Sequence, residues 1–595
     1  MVTKYRGRSS SAKDAKEKTT GRTTKSKSAQ LKFIPLGGLG EIGKNMYVLE
    51  YGDDIIVIDS GLMFPDQELP GIDFIVPDIS YLEANREKVL AIILTHGHED
   101  HTGGLPFVLQ RLKRVPIYGT RLTLGLVGNK LREDLPAVEP KMHEVKAGEV
   151  VEIGSFRVKF IAVSHSIPDS VALAVETPLG RVIHTGDFKL DSTPIDGRIT
   201  DYGSFAEEGD KGVLLLLSDS TNAERKGFTP SERLIGGTLE RLYRNYRTRR
   251  IVISSFASNV HRIQQVADGA ARFNRRIAFM GRSMIRNVEL ARTLGYLRID
   301  EKMIIPAEEI EKIPENQLVL MTTGSQGEPF SGLVMMSRGE HRQITLGDRD
   351  AVFLLASVIP GNEKLVNNTI NRLFALGCEV VYEADRQTHV SGHASSEELK
   401  IMLNLVHPRY FVPIHGEYRH LVRHSQLAQD VGIPSRNIFI MTNGEVLTFQ
   451  KGGRPGQKDR VQAGAVLIDG NAVGELRSRV MKERRELAED GIIAVSVALS
   501  RNGALLAPVV VESRGFFSQD EDSGILDEMR DAAERAVREF AGSRSVDAEA
   551  VGRTLKTRLR DVARRRNASY AAVLPLISVA GVHSDEKNWL EKEFF

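Results

Sequence analysis

A multidomain α/β fold is what this sequence predicts, on two observations. Short apolar, β-leaning runs alternate with helix-like segments along most of the chain. Several of those runs also end in a carboxylate or a histidine: 55–58 in Asp59, 89–94 in a histidine cluster, 156–163 in His165, 180–184 in Asp187 and 213–217 in Asp219. Loops leaving strand ends gather at one rim of a sheet sandwich, so these side chains are expected to meet. At 595 residues the chain exceeds one core, and about 150 residues per domain suggests roughly three or four domains.

Composition excludes several classes. The chain is 41% hydrophobic and 27% charged, ordinary values for a soluble globular protein. Its single cysteine, Cys378, excludes an intramolecular disulfide framework and cysteine-rich zinc sites and fits a reducing cytosol. No apolar run approaches the ~20 residues of a membrane span, and the N-terminus lacks an apolar signal core. A cytoplasmic protein without membrane association is therefore expected. With a net charge of +2, a nucleic-acid partner must be attracted by local patches.

Residues 1–30 carry Lys4, Arg6, Arg8, Lys13, Lys16, Lys18, Arg22, Lys25 and Lys27 against Asp14 and Glu17. Such a segment buries too little to fold, and reads as a disordered basic tail, either an arm for nucleic acid or a solubilising leader. Strand patterns begin at Leu31. The glycines of 37–43 resemble a dinucleotide loop, but no helix follows Gly43, and that reading is rejected. Asp59 ends a buried strand, where a carboxylate needs partners; it either caps the loop or supports metal-bound histidines, and the cluster downstream favours support.

That cluster holds His96, His98, Asp100 and His101 between a strand and Gly103-Gly104. One histidine there would be an ordinary polar loop residue; four potential ligands within six residues point to metal. In an extended loop His96, His98 and Asp100 alternate sides while His101 follows directly, so one loop can serve two neighbouring ions. Imidazole and carboxylate suit zinc, with manganese as the alternative. His165 and Asp187 follow strand ends in the same way, whereas His184 lies inside its strand and reads as core or supporting residue.

His96-x-His98-x-Asp100-His101, then His165, then Asp187, resembles the metallo-β-lactamase superfamily. The resemblance implies an αββα sandwich with two divalent metal ions at the strand ends. It implies that His96, His98 and His165 hold one metal, that Asp100 and His101 hold the other, and that Asp187 bridges them. Further along, 250–328 alternates strands and helices as a parallel α/β unit. Its strand-end loops, with Ser255, Arg282 and Ser283, offer hydroxyls and helix N-termini to phosphates, against the plainer reading of helix capping by Ser and Asn.

Histidines return in 388–395 and at His415. With Asp219, His393 and His415 match the three motifs of the β-CASP nucleases, whose nucleic-acid-clamping domain is inserted into the lactamase fold. Among these the chain is most similar to bacterial ribonuclease J over 31–450. That implies a 5′→3′ exoribonuclease preferring 5′-monophosphate ends, with endonuclease activity, acting in RNA decay and in mRNA and rRNA maturation. His415 would complete the second metal's ligands, and histidine at this motif favours RNA over DNA. His393 would supply a proton and stabilise the transition state with Asp219, which joins it and the bridging Asp187 as catalytic residues. A 5′-phosphate pocket is expected at Ser391, Gly392, His393 and Ala394, before a helix N-terminus.

The expected divisions are 31–230 and 386–450 for the lactamase fold, 231–385 for the β-CASP insertion, 451–465 for a linker and 466–595 for a C-terminal α/β domain. The last is expected to have strands at 492–499 and 506–511, helices at 526–539 and 546–564, and no ligand cluster. By resemblance it aids self-association, as a homodimer or homotetramer, and the enzyme meets single-stranded RNA and RNA-decay partners. Its basic run Arg558, Arg560, Arg564, Arg565 and Arg566 either faces RNA or is a solvated helix face. The competing readings are a DNA nuclease of the same fold, a small-molecule hydrolase, and a non-catalytic RNA-binding scaffold.

Overall fold

Two mixed sheets packed face to face carry the site in the computed structural model. It describes residues 29–65, 69–356, 358–359, 362–382, 388–452, 454–470, 472–473, 478–515, 523–565 and 572–580. The basic tail expected over 1–30 lies outside the described residues except for its last two, and so does Arg566.

The first sheet runs, in spatial order, Gly456–Arg460, Glu445–Phe449, Leu31–Gly37, Met46–Tyr51, Asp54–Ile58, Val89–Ile93, Ile117–Gly119 and Met142–Glu144. The second runs Tyr410–Ile414, Val213–Asp219, Gly180–His184, Val171–Thr177, Phe156–Ala162 and Val150–Ile153. Their apolar runs are continuous because both faces of each sheet are buried. Ile56, Ile58, Ala91 and Ile93 meet Val158, Phe160, Leu173, Leu215 and Leu217 across the sandwich. The alternate residues Ile55, Val57, Ile92 and Leu94 turn outward onto helices Leu105–Arg111 and Arg121–Asp134. On the other side Ile161, Ala172, Ile183, Leu216 and Phe411 pack against helices Tyr202–Asp210, Ser396–Val406 and Tyr418–Asp430. The result is the expected αββα layering.

Strand direction then decides where the ligands go. Asp54–Ile58 and Val89–Ile93 are parallel, as are Gly180–His184, Val213–Asp219 and Tyr410–Ile414. Their C-terminal ends deliver Asp59, the histidine cluster, Asp187, Asp219 and His415 to one rim.

The chain leaves the second sheet after Asp219 and builds a five-stranded parallel sheet, ordered Arg276–Met280, Leu318–Thr322, Arg250–Ser254, Asp350–Leu354 and Glu379–Val381. Apolar clusters cover both of its faces. Arg262, fully buried, fastens this insertion where the chain enters and leaves it. It pairs with Glu232 at 2.9 Å and donates to the carbonyls of Leu355 and Thr388.

Two readings of the C-terminal part change. Residues 451–465, expected as a linker, contain Gly456–Arg460, which pairs with Glu445–Phe449 as the outer strand of the first sheet. Ala465–Asp469 then pairs with Phe74–Pro77. The strand expected at 506–511 begins only at Val510, because Pro508 has no amide to donate to a ladder. That strand, Ile492–Leu499 and Ala572–Val579 form a sheet covered on one face by helices Ser523–Arg538 and Ala548–Arg564. Arg558, Arg560, Arg564 and Arg565 each pair with a carboxylate, Glu539, Glu486, Asp561 and Glu528 respectively. This favours the solvated-face reading of the basic run.

Candidate metal centre

The histidine loop is not extended throughout. After His98 the backbone turns into one helical turn, Glu99–Thr102, with the amides of His101 and Thr102 both donating to the His98 carbonyl. The turn takes Asp100 and His101 off the line of His96 and His98, although the His101 ring stays 4.1 Å, centroid to centroid, from that of His96. The two ligand sets thus separate by a change of backbone conformation rather than by alternation along a strand.

In the first set, His96 Nε2 lies 3.1 Å from His98 Nδ1, and His165 Nε2 lies 3.2 Å from the same atom. The remaining nitrogens of the two outer rings are engaged. His165 Nδ1 donates to the Gly392 carbonyl at 2.8 Å, and His96 Nδ1 lies 3.0 Å from Thr95 Oγ1. Burial holds all three imidazoles neutral. His98 is pushed down to about 4, and His96 and His165 fall well below the usual histidine range, with neighbouring histidines adding to the effect. Three uncharged rings with converging nitrogens suit a cation better than one another.

In the second set, Asp100, His101, Asp187 and His415 offer ligand atoms within 4.8 Å of one another. Asp59 orients His101, accepting from its Nδ1 at 2.8 Å while also accepting from the amide and hydroxyl of Thr95. His101 Nε2 then stands 3.2 Å from Asp187 and 3.5 Å from Asp100. Asp187 lies 3.6 Å from His96 and 3.8 Å from His165 as well, so it reaches both sets. His415 Nε2 stands 3.3 Å from Asp100, and its Nδ1 stands 2.6 Å from Thr221 Oγ1. Asp59 and His415 both adopt left-handed backbone conformations, φ 62° and 53°. Aspartate and histidine tolerate this region better than most residues, and here it turns each side chain off its strand toward the rim.

His393 forms the third corner. Its Nδ1 lies 2.8 Å from Asp219 and 3.9 Å from Asp187. Burial works against charge on this ring, but Asp219 and Asp187 outweigh it and raise its pKa. His101 and His415 are raised in the same way, against burial, chiefly by Asp187. Asp187 in turn is held well below the usual carboxylate range, burial notwithstanding, by His101, His415 and His393. Among the described residues, every ion-pair partner of Asp59, Asp100, Asp187 and Asp219 is an imidazole. No lysine or arginine among the described residues neutralises these carboxylates. A pocket whose anions lack fixed counter-charges, beside lone pairs that converge, fits divalent cations.

Several supporting residues escaped the sequence reading. Asn222 donates to Ser391 Oγ at 2.8 Å and to the His393 carbonyl at 2.9 Å, and Thr229 donates to the same carbonyl at 2.7 Å. Asn45 donates to the Asp100 carbonyl and sits 3.2 Å from His101 Nε2. Thr221 and Asn222 directly follow Asp219, so their place was readable, but their partners come from the far end of the insertion.

The expected phosphate loop is partly committed elsewhere. Ser391 Oγ accepts from Asn222 and from the His393 amide, the Gly392 carbonyl faces His165, and Ala394 packs in the core. The N-terminus of helix Ser396–Val406 is capped by its own Glu398, whose carboxylate accepts from the amides of Ser395, Thr229 and Leu190. Ser255, Arg282 and Ser283 lie on the insertion, and no hydrogen bond joins them to the metal cluster. Ser255 is buried with an unpartnered hydroxyl, while Arg282 and Ser283 are exposed at the start of helix Arg282–Thr293. Capping on this domain falls to Asn259, which accepts from the Arg262 amide.

Comparison with known proteins gives a consistent set of matches. The metallo-β-lactamase superfamily model matches residues 39–223, and the ribonuclease J β-CASP domain matches 248–373. The Zn-dependent metallo-hydrolase RNA specificity domain matches 378–440, and the ribonuclease J C-terminal domain matches 479–579. The chain is 45% identical to ribonuclease J of Synechocystis over 82% of its length and 75% of the relative's. It is 38% identical to ribonuclease J2 of Bacillus subtilis over 93% and 99%, and 41% identical to ribonuclease J of Thermus thermophilus over 85% and 88%. A crystal structure of a protein of unknown function from Enterococcus faecalis shares the fold, with a TM-score of 0.51 at 18% identity, covering 71% of this chain and all of the other.

Asp187 favours protons on His101 and His415 in the metal-free chain, and such protons must leave if these nitrogens are to take a cation. Metal uptake should therefore release protons, and affinity should rise with pH through the range in which these imidazoles deprotonate. Calorimetric titration with Zn²⁺ in buffers of different ionisation enthalpy checks this. Affinity independent of pH, with no proton release, contradicts it.

Proposed function

The chain belongs to the ribonuclease J family, and from that premise we propose how this metal-dependent ribonuclease divides its residues between holding cations and moving protons. The observation that carries the reading is the rim cluster in which Asp187 lies between the two ligand sets, with His393 beside it. His96, His98 and His165 would hold one divalent ion, Asp100, His101 and His415 a second, and Asp187 both. The nitrogen-rich first set favours zinc, with manganese as the alternative. Bound there, two such ions would acidify water and offset the charge that gathers on an attacked phosphodiester.

The remaining steps fall to protein groups. His393 is fixed through Nδ1 to Asp219, which leaves Nε2 to meet substrate. Asp219 favours a proton on this ring, and a protonated His393 can stabilise phosphate charge and then pass that proton to the departing 3′ oxygen. Asp219 positions the ring and stabilises its charge. Attack at phosphorus with loss of the 3′ oxygen leaves a 3′-hydroxyl and a 5′-phosphate. Cleavage proceeds 5′→3′ from monophosphate ends and also internally, in RNA decay and in mRNA and rRNA maturation. Ser391 contributes to the 5′-phosphate pocket by shaping its loop, while the exposed Arg282 and Ser283 guide single-stranded RNA from the insertion and the buried Ser255 does not reach it. RNA is favoured over DNA by the match to an RNA specificity domain across 378–440.

Self-association as a homodimer or homotetramer is assigned to the C-terminal module. The sheet face opposite its helices presents Val510, Leu574 and Leu576, about half exposed, an apolar patch suited to a second copy. No described helix is long and apolar enough to cross a membrane.

End-labelled single-stranded RNA with 5′-monophosphate or 5′-triphosphate, resolved over time on a denaturing gel, tests the activity. Zn²⁺- or Mn²⁺-loaded protein should release mononucleotides faster from the monophosphate, and chelator or His98→Ala should abolish this. His393→Ala should keep its metal and lose about 10²–10⁴-fold in rate. Cleavage unaffected by either substitution refutes the assignment, and equal cleavage of matched DNA refutes the RNA preference. Light scattering should report an oligomer that Leu574→Glu with Leu576→Glu disperses; an unchanged oligomer places the interface elsewhere.

A further inference from the structure

The strand Ala465–Asp469 lies 50 residues beyond His415 in sequence, yet it completes a small sheet behind the histidine turn. Leu467 pairs with Ile75, and Ile75 exchanges backbone hydrogen bonds with Met63 on its other side, both at 2.8 Å. The fully buried Ile468 joins Leu62 and Val76 in one apolar cluster, with Phe74, Phe107 and Val466 packed around it. Met481, on helix Ser478–Asp490, joins Ile72 and Ile75 in the next cluster. Arg484 on the same helix pairs with Asp469 and donates to the Gly71 carbonyl at 3.1 Å.

Leu62 is the contact between this sheet and the metal ligands. Its amide donates to the Glu99 carbonyl at 3.0 Å, and its side chain lies where a Cβ on Gly103 would fall, 2.5 Å from its Cδ2. Ser60 donates to the His101 carbonyl at 2.7 Å, and a Cβ on Gly61 would stand 1.6 Å from the Asp100 carbonyl oxygen. The segment 60–62 therefore backs the turn that carries Asp100 and His101, at contact distance and without slack. His96 and His165 take their orientation from Thr95 and Gly392, on other elements.

We propose that Ala465–Asp469 is a positioning element for the Asp100 and His101 half of the metal centre, acting through Leu62, so that seating of the C-terminal segment sets the affinity of one metal site and not the other. The inference rests on the two-ion reading of the centre, but its physical basis is the packing behind residues 99–103.

The full-length protein carrying Ile468→Ala tests it, with Val573→Ala in the separate C-terminal core as control. Zn²⁺ competition against a chromophoric chelator should show one site unchanged and one weakened at least tenfold in Ile468→Ala, with both unchanged in Val573→Ala. In metal-free protein, the amides of Thr102 and Gly103 should exchange hydrogen at least tenfold faster in Ile468→Ala alone. Unchanged zinc affinity and exchange in folded Ile468→Ala overturn the proposal, as does an equal loss in Val573→Ala. Should Ile468→Ala fail to fold, Arg484→Gln loosens the same seat without touching the core, and the same two readings decide. Wild-type protein that binds no zinc refutes the metal reading, while the exchange measurement still decides the brace.

Discussion

Three buried carboxylates, Asp59, Asp187 and Asp219, and the partly exposed Asp100 beside them have no lysine or arginine partner among the described residues, and the site is built around them. Taking such groups from water is costly unless each is paired or hydrogen-bonded. Asp59, Asp100, Asp187 and Asp219 meet only imidazoles and a few hydroxyl and amide donors. These carboxylates favour protons on His101, His393 and His415, and cations placed among the same oxygens can take over that role. The αββα sandwich serves this arrangement by aiming parallel strands from both sheets at one rim, where Asp59, the histidine cluster, Asp187, Asp219 and His415 follow their ends.

The orienting contacts explain why the insertion and the lactamase layers cannot be treated as separate machines. His165 is turned by the carbonyl of Gly392, 227 residues away, on the segment that returns from the insertion. A Cβ at Gly392 would fall 2.6 Å from the His165 ring, so glycine there lets the returning chain approach the ligand. Glu398 ties the same segment to Leu190 and Thr229, and Arg262 ties the entry and exit of the insertion. Movement of the inserted domain over RNA would therefore be felt at His393 and His165.

How much of this was legible in the sequence follows from what kind of contact each residue makes. The apolar runs ending in Asp59, Asp187 and Asp219, and the spacing of His96, His98, Asp100 and His101, are local patterns. They gave the layered fold and the side chains that the structure gathers at one rim. The one-turn helix Glu99–Thr102 was not legible, because it is fixed by packing against Leu62 and Gly61 from another strand end. The linker expected at 451–465 contains a strand, Gly456–Arg460, because an edge of the first sheet was open to it, which no local pattern reports. The start of helix Ser396–Val406, expected to meet a 5′-phosphate, also spends amides within the protein, those of Ser396 and Glu397 on the carbonyls of Arg225 and Gly227. Glu398, three residues after Ser395, forms a capping box that was present in the sequence as Ser-x-x-Glu.

The central claim is that this cluster is built for two cations sharing Asp187. Anomalous diffraction from crystals of the zinc-loaded protein, recorded on both sides of the zinc absorption edge, tests it most directly. Two peaks per chain are expected, one among His96, His98 and His165 and one among Asp100, His101 and His415, with Asp187 reaching both. A single peak, or zinc bound away from these residues, would contradict it.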